Sequence, residues 1–224
     1  MERKKLFNIL SLVCNVLIFG LITWAVAFYF YTDGGSGNML ATGFNCFRFF
    51  TIDSNVLAAI ASAIYIYFNI VRLTGKSIET PLWLKVFKFV ATNTVAVTFF
   101  VVLLLLVPMG YINGSYTIGF FYEQNCSVLH AIGPLLAMLT LVMFEGDDRF
   151  DKKYTYFQFL PVVIYGIVYF SCVVLAGVWP DFYGFTFDGR YYLSPIAALL
   201  VFGVSYGAAE LDYYLQGLCI KKLY

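Results

Sequence analysis

The chain has 224 residues, 61% of them hydrophobic and only 12% charged, with a net charge of +1 and a mean hydropathy of +0.81. Soluble domains carry about 25% charged residues, so this composition excludes a water-soluble globule. The basic residues stand in twos and threes beside long apolar runs, which argues against nucleic acid as a partner.

A membrane span needs about 20 mostly apolar residues, and six segments qualify. The first, residues 6–31, follows Arg3, Lys4 and Lys5. A basic start and Ala25-Val26-Ala27 resemble a secretory leader, but a leader's apolar core runs about 7–15 residues. This longer run reads as a retained span. The second, 47–71, opens on Phe47-Arg48-Phe49-Phe50-Thr51-Ile52-Asp53-Ser54-Asn55. Asn55, Ala58, Ser62, Tyr65 and Asn69 all fall within about 40° of Thr51 on a helical wheel. This narrow polar stripe is expected to face the bundle interior, whereas Asp53, about 200° away, belongs near the outer headgroups. The third span, 83–107, carries Asn93 and Thr98. The fourth, 122–145, holds His130, the single histidine of the chain, with Glu123, Cys126 and Ser127 within about 60° of it. Pro134 cannot donate to the His130 carbonyl. That predicts either a break opening a polar space beside the imidazole or a kink the bundle simply tolerates. The fifth, 154–179, contains Ser171. The sixth, 191–216, carries Glu210 and Asp212 deep toward its far end. With short connections between them, these form one all-α membrane domain.

Orientation follows from charge. Arg72 and Lys76 (with Lys85 and Lys88 just beyond), then Arg149, Lys152 and Lys153, then Lys221 and Lys222 mark alternate connections. The first and third connections have no Lys or Arg, and the fifth only Arg190. The positive-inside rule then puts both termini in the cytoplasm. Turn residues fill the outer connections at 33–38, 110–115 and 181–189, where Asn113-Gly114-Ser115 matches the glycosylation acceptor pattern. Aromatics, 20% of the chain, gather at span ends as an interfacial belt. The five cysteines have no CxxC and no metal spacing, so neither a metal nor a cofactor is expected. Cys46 and Cys126 either pair in an oxidising compartment or are two small buried residues. No internal repeat points to a transporter built from duplicated halves.

The second and fourth spans run in the same direction, which places Thr51 and His130 roughly 6 and 12 Å below the outer boundary. They are expected to meet in a polar cavity in the outer half of the bundle. Thr98 and Ser171, roughly 12–14 Å deep, are possible partners for the imidazole. An ionisable side chain inside a bilayer is costly and marks function, and a hydroxyl beside an imidazole suggests a nucleophile with its base. The plainer alternatives are a threonine bonding its own backbone and a histidine bonding across helices. Ser54, Asn55, Ser62, Thr98, Glu123, Ser127 and Ser171 are the candidate supporting residues. Ser54, Asn55 or backbone N–H groups at the start of the second span are candidates for holding an oxyanion.

The quoted stretch around Thr51, together with Leu129-His130-Ala131-Ile132-Gly133-Pro134-Leu135-Leu136, resembles the bacterial Pr6Pr membrane proteins. These resemble the androgen-induced-protein family of animals, which includes the androgen-dependent regulator of tissue factor pathway inhibitor. Specific over about twenty residues, the resemblance implies six spans and makes Thr51 and His130 a catalytic pair. It implies an intramembrane hydrolase of lipid esters, the animal members acting on fatty acid esters of hydroxy fatty acids. It also favours a bacterial plasma membrane. The chain departs from the pattern at Asp53, where bacterial relatives carry glutamine, and at Cys126, where asparagine often precedes the histidine.

The leading expectation is therefore a threonine hydrolase acting on a lipid or fatty-acyl ester. The alternative is a non-enzymatic lipid-binding or sensing protein. A third reading, an ion or proton transporter, lacks a chain of ionisable residues crossing the bilayer.

Overall fold

A computed structural model describes residues 2–31, 42–76, 78–112, 114, 118–146 and 150–223. The expected turn at 33–38, Asn113 and Ser115 of the acceptor pattern, and Arg149 lie outside these. Among the described residues the fold is all-helical, and six helices are long and apolar enough to cross a membrane: α1 (Arg3–Tyr31), α2 (Phe50–Leu73), α3 (Leu82–Ile112), α4 (Asn125–Phe144), α5 (Lys152–Leu175) and α6 (Tyr191–Lys222). Large apolar side chains such as Ile167 (63% exposed) and Leu199 (71%) point outward, as expected of a multi-pass integral membrane protein whose solvent is lipid.

The bounds depart from the expected spans for identifiable reasons. A short 3-10 turn, Gly43–Arg48, precedes α2, and its first residue takes the left-handed φ of +57° that suits glycine. The helix proper begins only at Phe50, so Thr51 lies in its first turn rather than four residues in. Helix α3 continues past Pro108 because a wide π turn, Val102–Leu106, takes up the missing donor: the Val107 amide reaches back five residues to the Val102 carbonyl. The same device recurs in α4, where Val128–Ile132 is a π turn and Gly133, just before Pro134, donates to the Val128 carbonyl. Pro134 therefore leaves a widened turn around His130. Helix α5 ends at Leu175 in a third wide turn, followed by Gly177 at φ +62°.

Small residues allow close packing of helix backbones. Ala58 and Ala59 of α2 and Ala137 of α4 pack with Ile18 and Ile22 of α1 and Val95 of α3. Toward one end, Ala25, Ile52, Val128 and Leu129 close around Cys46. Toward the other, Phe89, Leu141, Phe150 and Ala209 do the same for α3, α4 and α6. Cys46 and Cys126 are both free thiols and buried, as in the second of the two expectations for them.

Candidate active site

Thr51 and His130 meet. The threonine Oγ1 lies 3.3 Å from His130 Nε2, and His130 Nδ1 lies 3.0 Å from the Cys126 carbonyl. A carbonyl can only accept, so Nδ1 carries the ring hydrogen and Nε2 presents a lone pair to the threonine hydroxyl. That is the tautomer a general base needs. Phe120 covers the other side of the imidazole, with ring centroids 4.9 Å apart and planes at 27°.

The site is braced from the helices that carry it. Asn55 donates both amide hydrogens to backbone carbonyls, to Thr51 at 2.7 Å and to Leu129 at 3.0 Å, tying α2 to α4 directly beside the pair. Ser54 donates to the Thr51 carbonyl at 3.0 Å and shares a 3.0 Å hydrogen bond with Thr98. Asn55 and Ser54 thus hold backbone and do not point a donor at a reacting oxygen. Gly133 is required where α4 passes this brace: a Cβ there would sit 2.8 Å from the Val128 carbonyl oxygen and 3.3 Å from Asn55 Oδ1.

Thr51 and His130 open onto a cavity of about 1260 Å³, whose wall also includes Thr98, Glu123, Ser171 and Tyr183. Small-molecule pockets usually enclose about 300–1,000 Å³. The cavity is not polar throughout, as the sequence led us to expect. Most of the wall is aliphatic and aromatic, from α3, α5, α6 and residues 182–185. Glu123 lies at that wall against Gly119, where its carboxylate fills the space a Cβ would need.

Two expected site residues belong elsewhere. Ser62 lies on the Thr51 side of the wheel but eleven residues further on, roughly 16 Å along the axis, and accepts from Lys88 Nζ at 3.0 Å. Ser127 is half-buried, outside the cavity lining, and its amide continues the helix to the Glu123 carbonyl at 3.1 Å. Asp53 stays off the main cavity, as expected, and borders a separate hollow with Phe47, Leu82 and Trp83.

Tyr183 is the contributor that the sequence reading missed. Its hydroxyl accepts the Phe50 amide hydrogen at 3.1 Å and interacts with the side chains of Tyr165 and Thr51. Burial pushes this phenol up to about 12, so it stays protonated at neutral pH. The loop carrying it is fixed by Asp181, which accepts from the Phe185 amide (3.0 Å), the Thr186 amide (2.7 Å), the Thr186 hydroxyl (2.6 Å) and the Tyr169 hydroxyl. Burial alone would raise the Asp181 carboxyl, but these hydrogen bonds outweigh it and hold it below the usual carboxylate range. The one available signal was compositional: Trp179, Phe182, Tyr183 and Phe185 crowd a loop otherwise made of turn residues.

No family model, no curated protein and no solved structure matches the chain. The functional reading therefore rests on the site itself.

Proposed function

We propose that the protein is an intramembrane threonine hydrolase acting on a lipid ester. The observation that carries this reading is the hydrogen-bonded series Thr51 hydroxyl, His130 Nε2, His130 Nδ1 and Cys126 carbonyl at the wall of a large, mainly apolar cavity. His130 Nε2 takes the hydroxyl proton as Thr51 Oγ1 attacks the ester carbonyl. The imidazolium returns that proton to the departing alkoxide, which leaves as an alcohol while the acyl group stays on Thr51 Oγ1. His130 next deprotonates a water that attacks the acyl-threonine, releasing a fatty acid and restoring the hydroxyl. The apolar wall suits acyl chains, and the resemblance to the androgen-induced-protein family supports the same pair and an ester of two long-chain components as substrate. With both termini cytoplasmic, the site lies in the outer half of a plasma membrane.

A fluorophosphonate probe with an alkyl chain tests this. The purified protein should be labelled at Thr51, identified by mass spectrometry, and Thr51→Ala and His130→Ala should abolish labelling while leaving expression intact. Labelling that persists in either variant ends the model. A second reading, a lipid-binding or sensing protein, is supported by the size and apolar lining of the cavity alone. Stoichiometric lipid binding with no labelling would favour it.

A further inference from the structure

Thr51 and His130 supply a nucleophile and a base, but an attacked ester also needs donors for the oxygen that becomes negative. Asn55 and Ser54 are engaged with backbone carbonyls and Thr98, so the donor must come from elsewhere.

The hydrogen inventory around Tyr183 answers this. Tyr165 spends its hydroxyl hydrogen on the Arg48 carbonyl at 2.7 Å, and the Tyr183 oxygen accepts from the Phe50 amide at 3.1 Å. The Tyr183 hydrogen is therefore left for the Tyr165 oxygen or for Thr51, the side chains it interacts with. Thr51 directs its own hydrogen to His130, so its oxygen is free to accept from Tyr183. As Thr51 Oγ1 bonds to the ester carbon, negative charge passes to the carbonyl oxygen one bond away, within reach of the same phenol. Resting on the hydrolase reading above, we propose that Tyr183 is a catalytic residue that donates its hydroxyl hydrogen to the oxyanion. No proton is transferred: the phenol keeps its hydrogen while the tetrahedral oxygen gains and then loses its charge. The Phe50 amide, donating into the Tyr183 oxygen, polarises the phenol and strengthens its hydrogen bond to the anion.

Tyr183→Phe removes only the hydroxyl and keeps the ring against Phe182 and Phe185, so it tests the donor with the loop packing retained. With a 4-nitrophenyl ester of a long-chain fatty acid and protein in detergent micelles, kcat should fall about 10²–10³-fold. KM should stay within about threefold, since an interaction made only in the transition state does not weaken substrate binding. Fluorophosphonate labelling of Thr51 should slow comparably, because the phosphoryl oxygen of the adduct occupies the oxyanion position. A purely structural role would raise KM or lower thermal stability instead. If wild type is active, and Thr51→Ala is not, yet Tyr183→Phe keeps the wild-type kcat, Tyr183 is not the donor and the hydrolase reading stands. If wild type neither turns over the ester nor accepts the probe, both fall together.

Discussion

Two buried polar clusters lie about three helical turns apart in the same bundle, and they differ in what remains open to a ligand. In the one around Thr51, the hydroxyl, the His130 imidazole and the Tyr183 phenol border a large cavity. In the other, Lys88, 1% exposed, donates to Asn15 at 2.6 Å and Ser62 at 3.0 Å and lies 3.9 Å from Glu145, with the Tyr65 ring 5.3 Å away. Glu145 in turn accepts from Asn15 at 2.6 Å and Ser11 at 3.0 Å. Neither of the cavities described above reaches this second group. Its partners come from α1, α2, α3 and the end of α4, so it fastens those four helices together. A buried charge closed off by partners is thus a weaker pointer to chemistry than a hydrogen-bonded hydroxyl and imidazole bordering a void.

The sharpest way to break this contrast is to remove the reactive groups one by one. Thr51→Ala should lower ester hydrolysis by about 10³-fold or more while shifting the thermal midpoint in detergent by little. A large loss of stability would mean that Thr51 serves packing. The converse is expected of the second cluster. Lys88→Met or Glu145→Leu strands the other charge in a buried place, at about 3–5 kcal/mol, read as a lowered unfolding midpoint. The double variant should recover much of that loss, because two apolar side chains leave no charge unpaired. Should either single variant abolish turnover while remaining as stable as wild type, the division between the clusters fails.

Gly133→Ala acts beside the first cluster, where Asn55 ties α2 to α4. The added methyl meets the Val128 carbonyl, so a cost of about 1–3 kcal/mol is expected from overpacking. Activity should also fall roughly tenfold as His130 is turned from Thr51, about 1.4 kcal/mol. Smallest is the effect of acid on the loop. A carboxyl held below its unfolded value stabilises the fold above the ordinary carboxylate range and loses that contribution as pH falls through the folded value. The loop around Asp181 should therefore stay ordered at neutral pH and loosen only in strong acid, followed by hydrogen exchange at the Phe185 and Thr186 amides. Asp181→Ala should show the loosened state at neutral pH.

What was legible in the sequence is what depends on neighbours along the chain. Apolar runs gave the six helices within a few residues, and the shared direction of α2 and α4 brought Thr51 and His130 to one level, where they touch. The same wheel misjudged Ser62, since a wheel reports angle and discards depth. In sequence Lys88 belongs with the basic flank of the second connection, although Phe87 and Phe89 on either side of it sit in an apolar helix. Its burial depends on Asn15 and Glu145, 73 and 57 residues away in sequence. Tyr183 comes from a loop without periodicity, and its place beside Phe50 is a contact across 133 residues that no local pattern encodes.

The widened turn at Val128–Ile132 has one more consequence. A π turn holds an extra residue, so the stretch of α4 that aims the imidazole is out of phase with the stretch that packs Ala137 and Leu141. Excising one residue there would restore ordinary winding with both flanking stretches in place, and only the side chains within the turn would change their bearing. The insertion acts as an angular offset, setting the bearing of one side chain without disturbing the seam beneath it.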